Sequence, residues 1–83
     1  MKQRIEDYEV EASDDRNYTV SRLSIAQKGD HEGEEVAHVV GYYNSIESAV
    51  KEIARRCANE QPDIKSWLAE YKAVVARAEN LLV

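Results

Sequence analysis

The chain has 83 residues, 43% hydrophobic and 33% charged, with a formal net charge of −5. This allows one small domain, residues 1–83, burying roughly 60–65% of its unfolded surface; no apolar run approaches the ~20 residues of a membrane span. Its single cysteine, Cys57, excludes an internal disulfide or a cysteine-based zinc site.

The opening segment, Met-Lys-Gln-Arg-Ile-Glu-Asp, lacks the apolar core of a signal peptide. With the lone thiol, that places the chain in a cytoplasm, the host's if the chain is virally encoded. The charge is uneven. Residues 1–35 hold ten acids and five bases, and residues 36–83 hold six of each. The first half therefore carries the whole surplus. Such a surface repels nucleic acid and favours basic partners. Plain solubility is the competing reading.

Apolar and acidic residues alternate from Tyr8 to Ala12, and a half-buried strand is expected over about 5–12. Ser13–Asn17 supplies turn residues. A second strand is expected over about 18–27, with its phase slipping between Val20 and Leu23. A bulge at Ser21 or Arg22 would bring Tyr18, Val20, Leu23 and Ile25 onto one face. Residues 28–35 hold two glycines and no large apolar side chain, and read as a loop. The third strand, about 35–43, is apolar on both parities, which leaves its core face open between Val36, Val40 and Tyr42, the favoured set, and Ala37, Val39 and Tyr43.

The strand becomes a helix around Gly41–Ile46. Asn44 is the expected N-cap, with Glu47 completing a capping box, and Ser45 is the alternative. Tyr43 is expected to staple the first turn. A helix over about 45–58 follows, its apolar stripe running through Ile46, Ala49, Val50, Ile53, Ala54 and Cys57. After a link at Asn59–Gln61, a second helix is expected over about 62–82, with Pro62 in its first turn. Residues 64, 71 and 78, residues 67, 74 and 81, and residues 68, 75 and 82 form a three-position heptad stripe. That helix is about 30 Å long, longer than a small sheet needs, so part of the stripe should overhang the core. The fold class is α+β: a three-stranded antiparallel sheet followed by two antiparallel helices packed on one face.

Residues that could carry chemistry are few. His31 lies in an acidic loop without ligand spacing, and His38 lies mid-strand. Cys57 falls on an apolar stripe, where an inert thiol is the default. The serines fit no nucleophile elbow, and the three glycines fit no phosphate loop. Tyr18, Tyr42 and Tyr43 could stack bases, but the acidic surround opposes it. The expectation is a non-enzyme with no cofactor, no metal, no membrane contact and no direct nucleic-acid contact. A small catalyst or metal protein built on His31 or His38 is the outlying alternative.

The run Val40-Gly41-Tyr42-Tyr43-Asn44-Ser45-Ile46-Glu47-Ser48-Ala49-Val50, after a Tyr-Thr-Val strand, resembles a pattern in small accessory proteins of bacteriophages and other mobile elements. Those share a β-meander, a Gly-Tyr-Tyr junction and a Ser-Leu/Ile-Glu-x-Ala helix start. The resemblance covers about residues 18–57 and transfers no functional residue. It implies a compact accessory protein that acts by binding. Small size, the absence of catalytic sets, the acidic first half and the apolar helix add the expectation of a protein partner, such as a host-defence complex of the CRISPR type that the chain inhibits. The acids Asp14, Asp15, Asp30, Glu32, Glu34 and Glu35 would then face the basic channel of a nucleic-acid-binding partner. Alternatively Trp67, Tyr71 and Leu81 would bury the long helix against a partner or a second copy, making a self-assembling structural homodimer.

Overall fold

The computed structural model describes residues 1–14, 17–26 and 33–82. Four strands and two helices follow in order: β1 (Lys2–Ile5), β2 (Tyr8–Asp14), β3 (Asn17–Ile25), β4 (Glu35–Tyr43), α1 (Ile46–Ala58) and α2 (Ile64–Leu82). The strands form one antiparallel meander in the order β1-β2-β3-β4. The α+β class and the helices after the sheet are as expected, but the sheet has four strands and not three.

The extra strand comes from the first ten residues. The stretch read as one strand over 5–12 is broken at Glu6–Asp7, where the chain reverses and pairs Ile5 with Tyr8. The turn has no glycine, proline or asparagine to announce it. Glu6 adopts the left-handed region itself, with φ of 55°, a conformation that costs an ordinary residue roughly 1 kcal/mol or more. β1 holds three polar residues and one apolar one, and Ile5 alone is buried. Two ties hold it. Ala12 N–H donates to Met1 O at 2.9 Å, and Arg77 of α2 is ion-paired with Glu6.

The core lies on one face of the sheet. Tyr8 and Val10 of β2, Val20 of β3 and Ile5 of β1 meet Ala49, Val50, Ile53 and Ala54 of α1 and Val74 and Ala78 of α2. The fully buried aliphatic side chains Ile5, Val10, Val20, Ile53 and Val74 each contribute about 1.5–3 kcal/mol of transfer free energy. Replacing any of them by a polar residue would strike where the sheet meets the helices.

The irregularity expected in β3 falls in β4. Val20 pairs with Gly41 and Ser21 with Val39, so Val40 is the extra residue. This bulge reverses the face of everything after it. Val40 and Tyr43 pack against the core, while Tyr42, favoured for the core from its parity, is 74% exposed. β3 runs without a slip against β2 from Tyr18 to Arg22. Leu23 and Ile25 therefore fall on the opposite parity from Tyr18 and Val20, and Ile25 is exposed.

The helix starts also differ from expectation by a residue or two. Ser45 caps α1: Ser48 N–H donates to Ser45 Oγ at 3.1 Å, and Ala49 N–H to Ser45 O at 3.2 Å. Asn44 lies outside the helix, and Tyr43 packs on the core rather than stapling the turn. Asp63 caps α2, accepting Ser66 N–H at 2.8 Å and Trp67 N–H on its carbonyl at 2.9 Å. Pro62 precedes that cap. The hydrogen bonds from Ser66 hold the Asp63 carboxyl below its usual range, as an anion at a helix N-terminus should be. Asn59 closes α1, its N–H donating to Arg55 O at 2.9 Å.

Candidate functional site

The acidic residues singled out from sequence do not gather in one place. Asp14 ends β2, where it pairs with Asn17. Glu34 and Glu35 lie at the opposite end of β3, beside Ile25. The nine residues of β3 separate the two groups by roughly 27 Å. Glu35 is held by Arg4 across the sheet end at 2.9 Å, which neutralises it locally. Asp15, Asp30 and Glu32 lie outside the described residues, as does His31. His38 is exposed on β4. Among the described residues, no three His, Cys, Asp or Glu side chains converge as a metal site, and no helix is long and apolar enough to cross a membrane.

Cys57 is half-buried at the end of α1. Burial pushes its thiol up, and the negative charges of Glu60, Glu70 and Asp7 push it further. A thiol held protonated is a poor nucleophile. The Tyr8 hydroxyl nearby is also raised, chiefly by burial and against the pull of Arg22.

The apolar residues of α2 are more revealing. Among the described side chains of α2, Val74 and Ala78 enter the core, with Tyr71 and Val75 packed against its rim. The helix is about 28 Å long, and the aliphatic residues of its first two turns are largely uncovered. There Ile64 is 79% exposed and Leu68 47%. Trp67 and Tyr71, both half-buried, stack with ring centroids 5.2 Å apart and planes 9° from parallel, within the range of favourable offset stacking. Trp67 Nε1–H donates to Asn59 Oδ1 at 2.9 Å, so the indole is pinned to the end of α1 before anything binds it. Pro62, Asp63, Ile64, Trp67 and Leu68 line a shallow hollow of about 550 Å³.

This ledge contains two of the three apolar site residues expected from sequence. Leu81, the third, is 50% exposed but stands fourteen residues along α2 from Trp67, roughly 21 Å away. A separate apolar groove of about 460 Å³ lies between the helices, lined by Ile46, Val50, Val75 and Ala78. Ile64 and Leu68 belonged to the heptad stripe, but nothing in the stripe says which members reach the sheet.

Comparison with known proteins places no relative beside these features: no protein-family model, curated protein or solved structure matches the chain.

Proposed function

We propose that this chain is a non-enzymatic protein-binding module, and that its partner seats on the ledge formed by Ile64, Trp67, Leu68 and Tyr71. The observation that carries this reading is the rigid aromatic stack flanked by two exposed aliphatic side chains. Large aromatic anchors with fixed rotamers are the side chains that dominate binding energy at interfaces, because little entropy is lost when they are covered. The indole–Asn59 bond fixes Trp67 in advance. The net charge of −5 favours a partner with a basic rim, by raising the rate of encounter more than the final affinity. Origin in a phage or mobile element is a part of the proposal that rests on the resemblance of residues 18–57, and a host-defence complex as the target rests on small size, the acidic first half and the apolar helix.

The test is affinity capture from the native host, run side by side with the parent chain and an Ile64→Lys, Leu68→Lys double variant. A protein retained by the parent, lost with the variant, and bound by the purified parent in calorimetry supports the ledge. Identical capture by both chains, with circular dichroism showing both folded, overturns it. Reversing Glu34 and Glu35 to Lys tests the acidic surface separately. Under the ledge reading that pair of changes slows association and leaves the complex intact.

A further inference from the structure

β1 is the strand with the least to bury. Ile5, 1% exposed, is its one buried side chain. The charged residues on and beside it are each tied to a different element. Lys2 pairs with Glu9 of β2 at 3.6 Å, Arg4 with Glu35 of β4 at 2.9 Å, and Glu6 at the hairpin tip with Arg77 of α2. The basic member of each pair is more than half exposed, so dissolved salt screens all three. Glu6 also holds the left-handed φ of 55°, which release of the hairpin would relax.

The hydrogen-bond pattern shows what β1 covers. Ala12 N–H donates to Met1 O at 2.9 Å, and Leu23 N–H donates to Asp7 O at 2.7 Å. Bonded and non-bonded pairs alternate in an antiparallel ladder. The backbone groups of Tyr8, Val10 and Ala12 are therefore directed at β1, and those of Asp7, Glu9 and Glu11 at β3. β1 also touches α2, and Ile5 shares the core with Val10, Val74 and Ala78. With β1 in place the sheet ends in four residues that carry Lys2 and Arg4, a blunt edge that resists pairing. Without it the edge would be β2, seven residues long, with Tyr8, Val10 and Ala12 in alternation.

We propose that β1 is a releasable strap guarding a strand-docking slot between β2 and α2, and that the slot takes an extended partner segment with two basic residues in alternation and a branched aliphatic residue after them. Segments with few buried apolar side chains open at free energies well below that of global unfolding, and β1 has Ile5 alone. A strand added to an open sheet edge gains main-chain hydrogen bonds, and its alternate side chains set the specificity. The strap itself, Lys-Gln-Arg-Ile, shows the chemistry of a segment that fits.

What the strap leaves behind defines the occupant. Its release strips Glu9 and Glu35 of their cations, on a chain whose net charge is already −5. It empties a niche shaped by Ile5 in the core shared with Val10, Val74 and Ala78, and it frees the N–H groups of Tyr8, Val10 and Ala12. A segment with the strap's own pattern answers all of these in one register. An acidic segment meets Glu9 and Glu35 with like charge, and a segment without the aliphatic residue leaves the niche empty.

The slot stands apart from the α2 ledge, and amide hydrogen exchange of the full chain tests it. In the parent, Tyr8, Val10 and Ala12 should be at least about tenfold less protected than Glu9 and Glu11 on the same strand. Raising salt from about 0.01 M to about 1 M shortens the screening length from about 30 Å to about 3 Å and should widen that gap severalfold. Ile5→Ala should widen it by about a further tenfold. A synthetic peptide of residues 1–7, added to Ile5→Ala at low salt and about millimolar concentration, should restore protection to the three amides. The same peptide with Glu in place of its Lys and Arg should not. Arg77→Ala, which unties the hairpin tip, replaces Ile5→Ala if that variant does not fold. Uniform protection along β2, a gap indifferent to salt, a peptide without effect, or one that acts whatever its charge overturns the proposal. Protection of the three amides that rises with protein concentration in the absence of peptide would give the slot to the strap of a second copy and overturn the partner assignment.

Discussion

The ring of Tyr43 lies over the bare α-carbon of Gly41. A β-carbon placed on Gly41 would stand 2.9 Å from Tyr43 Oη and 3.2 Å from Cε2 and Cζ. The two residues share a strand face, and Tyr43 packs against the core immediately before α1. Glycine here makes room for an aromatic neighbour and follows the extra residue of the bulge. Gly41→Ala must displace the ring, and should destabilise the fold by about 1–2 kcal/mol in urea unfolding. In the Tyr43→Ala background the same change should cost far less. That non-additivity marks direct contact; equal costs in both backgrounds would show that the glycine is there for its backbone alone.

Glu6 sets two effects of similar size against each other. Its φ of 55° costs a non-glycine residue about 1 kcal/mol or more. Its ion pair with Arg77, with both side chains over a third exposed, is worth well under 1 kcal/mol after solvent screening. Strain relief should win. Glu6→Gly is expected to leave stability unchanged or raise it by up to about 0.5 kcal/mol, whereas Arg77→Ala should lower it by less than that. A clear loss of stability in Glu6→Gly, read from the urea midpoint, would mean that the pair anchors the hairpin to α2 more firmly than exposed pairs normally do.

These two sites also show where the sequence was legible. The 3.6-residue repeat of α1 named its buried face correctly, because an amphipathic helix writes its orientation into spacing. The number of strands was misread because the Glu6–Asp7 turn uses a strained glutamate in place of the usual turn residues, and because β1 has only Ile5 to bury. The face of β4 was read correctly at Val40, which packs against the core, and wrongly at Tyr42, because the extra residue reverses the alternation after it and a strand apolar on both parities gives no sign of that. The split between buried and exposed turns of α2 depends on which tertiary neighbours cover them, which no local pattern encodes. The acids could be counted but not assembled, since their grouping depends on which ends of the strands they occupy.

The cap of α1 discriminates between neighbouring residues. Ser45 Oγ accepts the Ser48 N–H at 3.1 Å, satisfying one of the four donors that a helix start leaves open. Ser45→Ala should cost about 1 kcal/mol, and Asn44→Ala, one residue earlier, less than half of that. The reverse order in thermal denaturation would move the cap to Asn44.

Isoleucines 53 and 64 sit at the two extremes of the helical layer, one with no exposed surface and one 79% exposed. Ile53→Ala removes packing between α1 and the sheet and leaves a cavity, so a loss of about 2–4 kcal/mol is expected. Ile64→Ala should change stability by less than about 0.5 kcal/mol. The contrast carries functional weight, because a residue with almost no effect on folding can be substituted on the ledge without confounding a binding measurement. A destabilisation of 1 kcal/mol or more at Ile64 would indicate that it is covered in solution.

Glu52 sets the acid limit of α1. Partial burial pushes its carboxyl up, but the hydrogen bonds and charges of Arg55 and Arg56 outweigh that and leave it below the ordinary value of 4.5. Arg55 donates through Nη2 to Oε1 at 2.5 Å and through Nε to Oε2 at 3.1 Å, and Arg56 Nε donates to Oε1 at 2.8 Å. A depressed acid stabilises the folded state once it is ionised in the unfolded chain, and that contribution is lost as pH falls through the lower, folded value. The stabilisation should therefore be intact at neutral pH and disappear on acidification below about 4.5, in proportion as the carboxylate protonates. Glu52→Gln should cost less than about 1 kcal/mol at pH 7, as expected for one carboxylate shared by two helix-surface arginines. Its unfolding curve should converge with that of the parent once the pH has fallen below the lowered, folded-state value. A gap between the two proteins that does not narrow at all on acidification would assign the effect to packing of the side chain and not to its charge.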